Sequence, residues 1–132
     1  MEFKVHHIGY AVPTISSAMV EFAALGWESV GGVTDDVERK VSIQFMRLGG
    51  VVIELVAPLT DDSPIRRILQ KGSGTPYHIC YEVDSLDAAE PELKAKKFIV
   101  FRKPSPAPAI CGRRAEWFYS RDGGILELVE AL

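Results

Sequence analysis

The chain has 132 residues, 15 basic and 18 acidic side chains, 47% apolar and 25% charged residues. This is the profile of one soluble domain or two small modules sharing a core, and it excludes a disordered chain; the net charge of -3 argues against nucleic acid as the main partner. No apolar run approaches the roughly 18 residues that cross a bilayer, the start Met1-Glu2-Phe3-Lys4-Val5 carries no export pattern, and two cysteines, Cys80 and Cys111, fit a reducing cytoplasm rather than a disulfide framework.

In chain order, a first strand is predicted over 5–12, then a turn or cap at Pro13-Thr14. A helix follows, with Ile15, Ala18, Met19, Phe22 and Leu25 at helical spacing. Strands are predicted over 27–34, 39–48 and 51–57, with Gly49-Gly50 as a tight hairpin. Residues 58–75 form a linker punctuated by Pro58 and Gly72-Ser73-Gly74, with room for a short helix from Ile65 to Gln70. A strand over 76–83, a cap at Asp84-Ser85 and a helix marked by Leu86, Ala89 and Leu93 come next. Pro91 lies inside that helix and either kinks or restarts it. Strands over 98–102, 113–120 and 125–130 complete the chain, with Asp122-Gly123-Gly124 as a turn. Residues 103–109 hold three prolines and are expected as an ordered loop, because proline cannot donate to a sheet ladder. The pattern is βαβββ twice, an α+β chain with modules over 1–57 and 76–132 of one domain.

The two modules repeat in sequence as well as in pattern. His7, Ile8, Tyr10 and Val12 fall on His78, Ile79, Tyr81 and Val83 under a shift of 71, and Val-Ile-Glu-Leu-Val at 52–56 falls on Ile-Leu-Glu-Leu-Val at 125–129 under a shift of 73. Each half therefore opens on a His strand and closes on a Glu strand. Strand side chains alternate between faces, so Ile8, Tyr10 and Val12 oppose His7, and Ile53 and Leu55 oppose Glu54. The same holds for His78, against Tyr77, Ile79, Tyr81 and Val83, and for Glu127 between Leu126 and Leu128. With the apolar faces under the helices, two His and two Glu share the other, concave face. Burying a carboxylate is costly unless it is paired or binds a metal, so the repeat points to one divalent ion such as Ni, Co, Zn, Mn or Fe(II). Four protein ligands leave two octahedral positions open for Lewis-acid catalysis.

At these residues the chain resembles the vicinal oxygen chelate superfamily. The stretches that carry the likeness are His-His-Ile-Gly-Tyr-Ala-Val at 6–12, Val-Ile-Glu-Leu-Val-Ala-Pro-Leu at 52–59, Asp-Ser-Pro-Ile at 62–65, His-Ile-Cys-Tyr-Glu-Val at 78–83 and Gly-Gly-Ile-Leu-Glu-Leu-Val at 123–129. The resemblance implies two βαβββ modules forming a curved, partly open barrel-like sheet around a metal held by His7, Glu54, His78 and Glu127. Within the superfamily the chain is similar to short bacterial glyoxalase I (lactoylglutathione lyase) and to methylmalonyl-CoA epimerase. Gln44 stands at the position taken to match a catalytic Glu of some epimerases, and an amide cannot act as a general base. Many epimerases also read His-His where this chain reads Tyr77-His78. Both departures tilt the expectation towards glyoxalase I. Ligand-sequestering resistance proteins share the fold but generally lack the full ligand set; iron dioxygenases use two His and one Glu, and Glu54 speaks against them.

Either enzyme must remove a proton beside a carbonyl and hold the enediolate, which a divalent metal would stabilise. Glu127 or Glu54 is the expected base, acting after loosening from the metal, with Gln44 or Glu116 (its match under a shift of 72) as orienting groups. The substrate would be a methylglyoxal–thiol hemithioacetal or a 2-methyl-branched acyl-CoA. Arg102, Lys103, Arg113 and Arg114 flank the proline-rich loop and could meet its carboxylates or phosphates; the loop could close over the site. A homodimer is expected from exposed module edges, with the four ligands drawn from one chain or two.

Overall fold

Alternation along a strand decides which side chains a helix can cover, and residues 7–77 follow that rule. In the computed structural model, which describes residues 1–132, these residues form one unit, and residues 1–6 with 78–132 form the other. The first unit is built of β1 (Lys4–Ala11) from residue 7 onward, α1 (Ile15–Ala24), β2 (Glu28–Asp36), β3 (Val41–Leu48), β4 (Val51–Pro58) and the short α2 (Ile65–Ile68). Its strands lie in the order β2-β3-β4-β1. β1 runs parallel to β4, and the other pairs are antiparallel. Leu48 pairs with Val51, so Gly49-Gly50 is the whole loop, and Gly49 adopts the positive φ of 58° that such a turn requires. Packing holds α1 in place, since Thr14 makes no side-chain cap bond. Val12, Ile15, Ala18, Met46, Ile53, Leu55 and Ala57 are buried together, with Ile8, Tyr10, Met19, Phe22 and Trp27 packed around them. Each fully buried aliphatic side chain contributes roughly 1.5–3 kcal/mol.

The second unit repeats the plan with β5 (Thr75–Val83), α3 (Leu86–Ala95), β6 (Ile99–Ala107), a 3-10 turn at Pro108–Ile110, β7 (Arg113–Ser120) and β8 (Gly124–Glu130). Its order is β5-β8-β7-β6, with β5 parallel to β8. α3 is capped: Ser85 Oγ accepts from the Ala88 amide, and the Leu86 amide donates to Glu130 Oε2 at 2.9 Å. Beneath α3, Val83, Leu86, Ala89, Leu93, Phe118, Leu126 and Leu128 form the core. The chain is thus α+β, two βαβββ modules, as the pattern predicts. No helix is long and apolar enough to cross a membrane.

Two expectations need correcting or completing. α3 is a single helix that runs through Pro91. Residues 103–107 belong to strand β6 rather than to a loop. Pro104 and Pro106 are tolerated there because β6 lies at the edge of its unit's strand order and shifts register twice against β7, between Val100 and Ser105.

Candidate metal centre

In the first unit, Ile8 and Tyr10 pack towards α1, so the intervening parity sends His7 to the opposite face. There it is 1% exposed, and Glu54, between the buried Ile53 and Leu55, is 7% exposed. His7 Nε2 and Glu54 Oε1 stand 3.4 Å apart. Phe45 pairs directly opposite Glu54, and its ring meets the His7 imidazole at 5.3 Å and 76°.

The second unit repeats this on β5, β7 and β8. His78 and Glu127 are buried, with Nε2 and Oε1 3.5 Å apart. Trp117 pairs opposite Glu127 and meets the His78 ring at 4.7 Å and 74°. Cys80, two residues along β5 from His78, is fully buried and in no disulfide, whereas Cys111 is exposed.

The donor chemistry of both pairs fits a divalent metal. Separations of 3.4 and 3.5 Å exceed ordinary hydrogen-bond lengths. Two donors each about 2.0–2.2 Å from one ion stand about 3 to 3.5 Å apart, depending on the coordination angle. Nitrogen with carboxylate oxygen is also a donor set that borderline divalent ions accept.

The other predicted site residues lie elsewhere. Gln44 pairs with Leu55, which places it on the α1 side, away from His7 and Glu54. It sits opposite a bulge: Val30 pairs with Phe45 and Thr34 with Ile43, leaving extra residues between. Gly31, at φ 68°, allows that detour. The Gln44 amide donates to the carbonyls of Val30, Gly31 and Phe45. Its role is to satisfy bulge carbonyls, so its neutrality says nothing about a base in the site. Glu116, named above as an orienting group, pairs with Leu128 and lies on the α3 side. It is fully buried, and neither carboxylate oxygen has a hydrogen-bond donor. Burial first, then the charge of nearby Glu90, push its carboxyl up to about 7.

Among the basic residues, Arg113 is tied to the Glu82 carboxylate at 2.5 Å and donates from Nε to the Glu130 carbonyl; its guanidinium holds Glu82 below the usual carboxylate range. Arg114 lies within 3.6 Å of Asp87 and 3.5 Å of Glu130. Arg102 is half-buried on β6, next to the exposed Lys103. Lys103 lines a cleft of about 530 Å³ with Glu90, Lys94 and Phe101. Sequence reasoning missed Phe45 and Trp117, although they recur under the same shift of 72 as Gln44 and Glu116.

Comparison with known proteins extends this picture. Residues 6–115 match the sequence pattern of the Glyoxalase/Bleomycin resistance protein/Dioxygenase superfamily. The chain is 30% identical over 128 residues to the ethylmalonyl-CoA/methylmalonyl-CoA epimerase of Cereibacter sphaeroides, a match covering 95% of this chain and 96% of that protein. It is 38% identical over 95 residues to the mitochondrial methylmalonyl-CoA epimerase of Mus musculus, covering 71% of this chain and 53% of the relative, so the match spans about half that relative's length. A solved methylmalonyl-CoA epimerase in complex with methylmalonyl-CoA and NH4+ superimposes with a TM-score of 0.81 at 25% identity, covering 99% of this chain and 96% of that one. These relatives are epimerases, which overturns the expectation of a lactoylglutathione lyase. That expectation had leaned on Tyr77-His78 and on Gln44, a residue that faces away from His7 and Glu54.

Proposed function

Because the chain belongs to the Glyoxalase/Bleomycin resistance protein/Dioxygenase superfamily, we propose that it is a metal-dependent epimerase acting on a 2-methyl-branched acyl-CoA of the methylmalonyl-CoA type. The observation that carries this reading is the buried His–Glu pair in each unit, with Nε2 and Oε1 3.4 and 3.5 Å apart, in a chain similar over nearly its whole length to a bacterial epimerase. One pair supplies two donors, fewer than the four such ions usually take, and the repeat supplies two more. His7, Glu54, His78 and Glu127 are therefore the proposed ligands of one divalent ion, Ni, Co, Zn or Mn. When bound, the ion supplies a Lewis acid for the oxygens beside the reacting carbon.

The chain's own residues do the rest. The buried faces around His7 and His78 exclude water from their carboxylates. Glu127 or Glu54, loosened from the ion, takes the proton from one face of the carbon next to the thioester, and a second acid whose proton exchanges with solvent protonates the other face. A homodimer is also part of the proposal, because β2 is exposed along most of its length.

The test uses protein loaded with each ion in turn and one epimer of methylmalonyl-CoA in heavy water. Deuterium should enter at the 2-carbon as the optical asymmetry disappears. Retention of both the proton and the configuration with every ion would end this reading.

A further inference from the structure

The same three-residue arrangement stands beside both candidate ligand pairs. An aromatic side chain lies directly across the strand pair from each carboxylate, Phe45 from Glu54 and Trp117 from Glu127. Its ring meets the neighbouring imidazole nearly at right angles, at 5.3 Å and 76° for His7 and at 4.7 Å and 74° for His78. The second stack continues outward: Phe101 lies 6.2 Å from Trp117, although it is 54% exposed.

An imidazole turns about two side-chain bonds, and a ligand nitrogen must point within about 10–20° of its target. A flat ring at right angles to the imidazole restricts that rotation in a way that an aliphatic side chain of similar bulk does not. We propose that Trp117 and Phe45 are positioning residues: they set the planes of the His78 and His7 rings so that each Nε2 faces its carboxylate, and Phe101 backs Trp117. This rests on the reading of the four residues as metal ligands. Simple packing would be satisfied by any apolar side chain that fills the space; positioning needs the ring.

That contrast defines the experiment. Metal-stripped wild type, Trp117→Leu, Trp117→Phe, Phe45→Leu and Phe101→Ala are titrated with Co(II), with affinity and the visible absorption of the Co(II) complex as readouts and circular dichroism as the check on folding. Trp117→Leu and Phe45→Leu should each weaken binding by about 10–100-fold, the range expected when a ligand loses its outer support, and should shift the absorption bands. Trp117→Phe, which keeps a ring, should restore most of the affinity and the wild-type spectrum. Phe101→Ala, at an exposed position, gives an arm independent of core packing and should show a smaller loss of the same kind. Wild-type affinity and spectrum in the folded Leu variants, or in Phe101→Ala if those do not fold, would overturn the inference while leaving the ligand set intact. Absence of Co(II) uptake by the wild type would remove both.

Discussion

Gln44 and Glu116 occupy matching places, each opposite a bulge in the neighbouring edge strand and each under its unit's helix. Only Gln44 can donate at every pH. Glu116 faces Glu90 and Lys94 of α3 and Arg114 of its own strand, and its carboxyl is raised from 4.5 to about 7. The native state then holds a proton that the unfolded chain gives up, so this contribution to stability is whole below about 4.5 and is lost as pH rises through about 7. The wild type should therefore lose up to about 3 kcal/mol between pH 4.5 and 8 from this group. Glu116→Gln should match the wild type near pH 5 and exceed it at pH 8. Urea midpoints at the two pH values test this, and a wild-type pH slope retained in the variant would refute it. At this scale the His and Glu residues were legible, because each interrupts an apolar strand at a repeated offset. The direction of Gln44 was not, because both faces of β3 mix apolar and polar side chains and only its register with Leu55 decides.

Elements were legible where a periodic stripe met a turn residue, as at Gly49-Gly50 and Ser85. They were less so where proline was read as a stop. β6 accommodates Pro104 and Pro106 by being an edge, a property of strand order that no local pattern states. α3 continues through Pro91 because Leu86, Ala89 and Leu93 anchor it on the core. Pro91 is exposed and removes a hydrogen bond to the carbonyl four residues back. Pro91→Ala should therefore stabilise the protein by about 1–3 kcal/mol, read as a higher urea midpoint at unchanged slope. An unchanged or lower midpoint would mean that the helix has already adapted to the ring.

For the whole molecule, the family and the duplicated α+β plan were legible, whereas the substrate was not: proton transfer beside a carbonyl asks for the same imidazoles and carboxylates whatever the substrate's remainder. A metal held by the native state alone stabilises it by mass action, by about 4 kcal/mol at a thousandfold excess over Kd. Saturating Zn or Co should thus raise Tm by roughly 10 °C and a chelator should reverse the gain. In His78→Ala the fold should persist and the metal-dependent rise should vanish; an equal rise in that variant would remove His78 from the ligands. The boundaries of the two units fall inside strands, at 6/7 within β1 and at 77/78 within β5. The leading half carries its unit entire, but a polypeptide cut after Tyr77 would leave its trailing fragment without the six opening residues that belong with it, so reassembly from two separately made fragments would need both ends of the break to find their strands again.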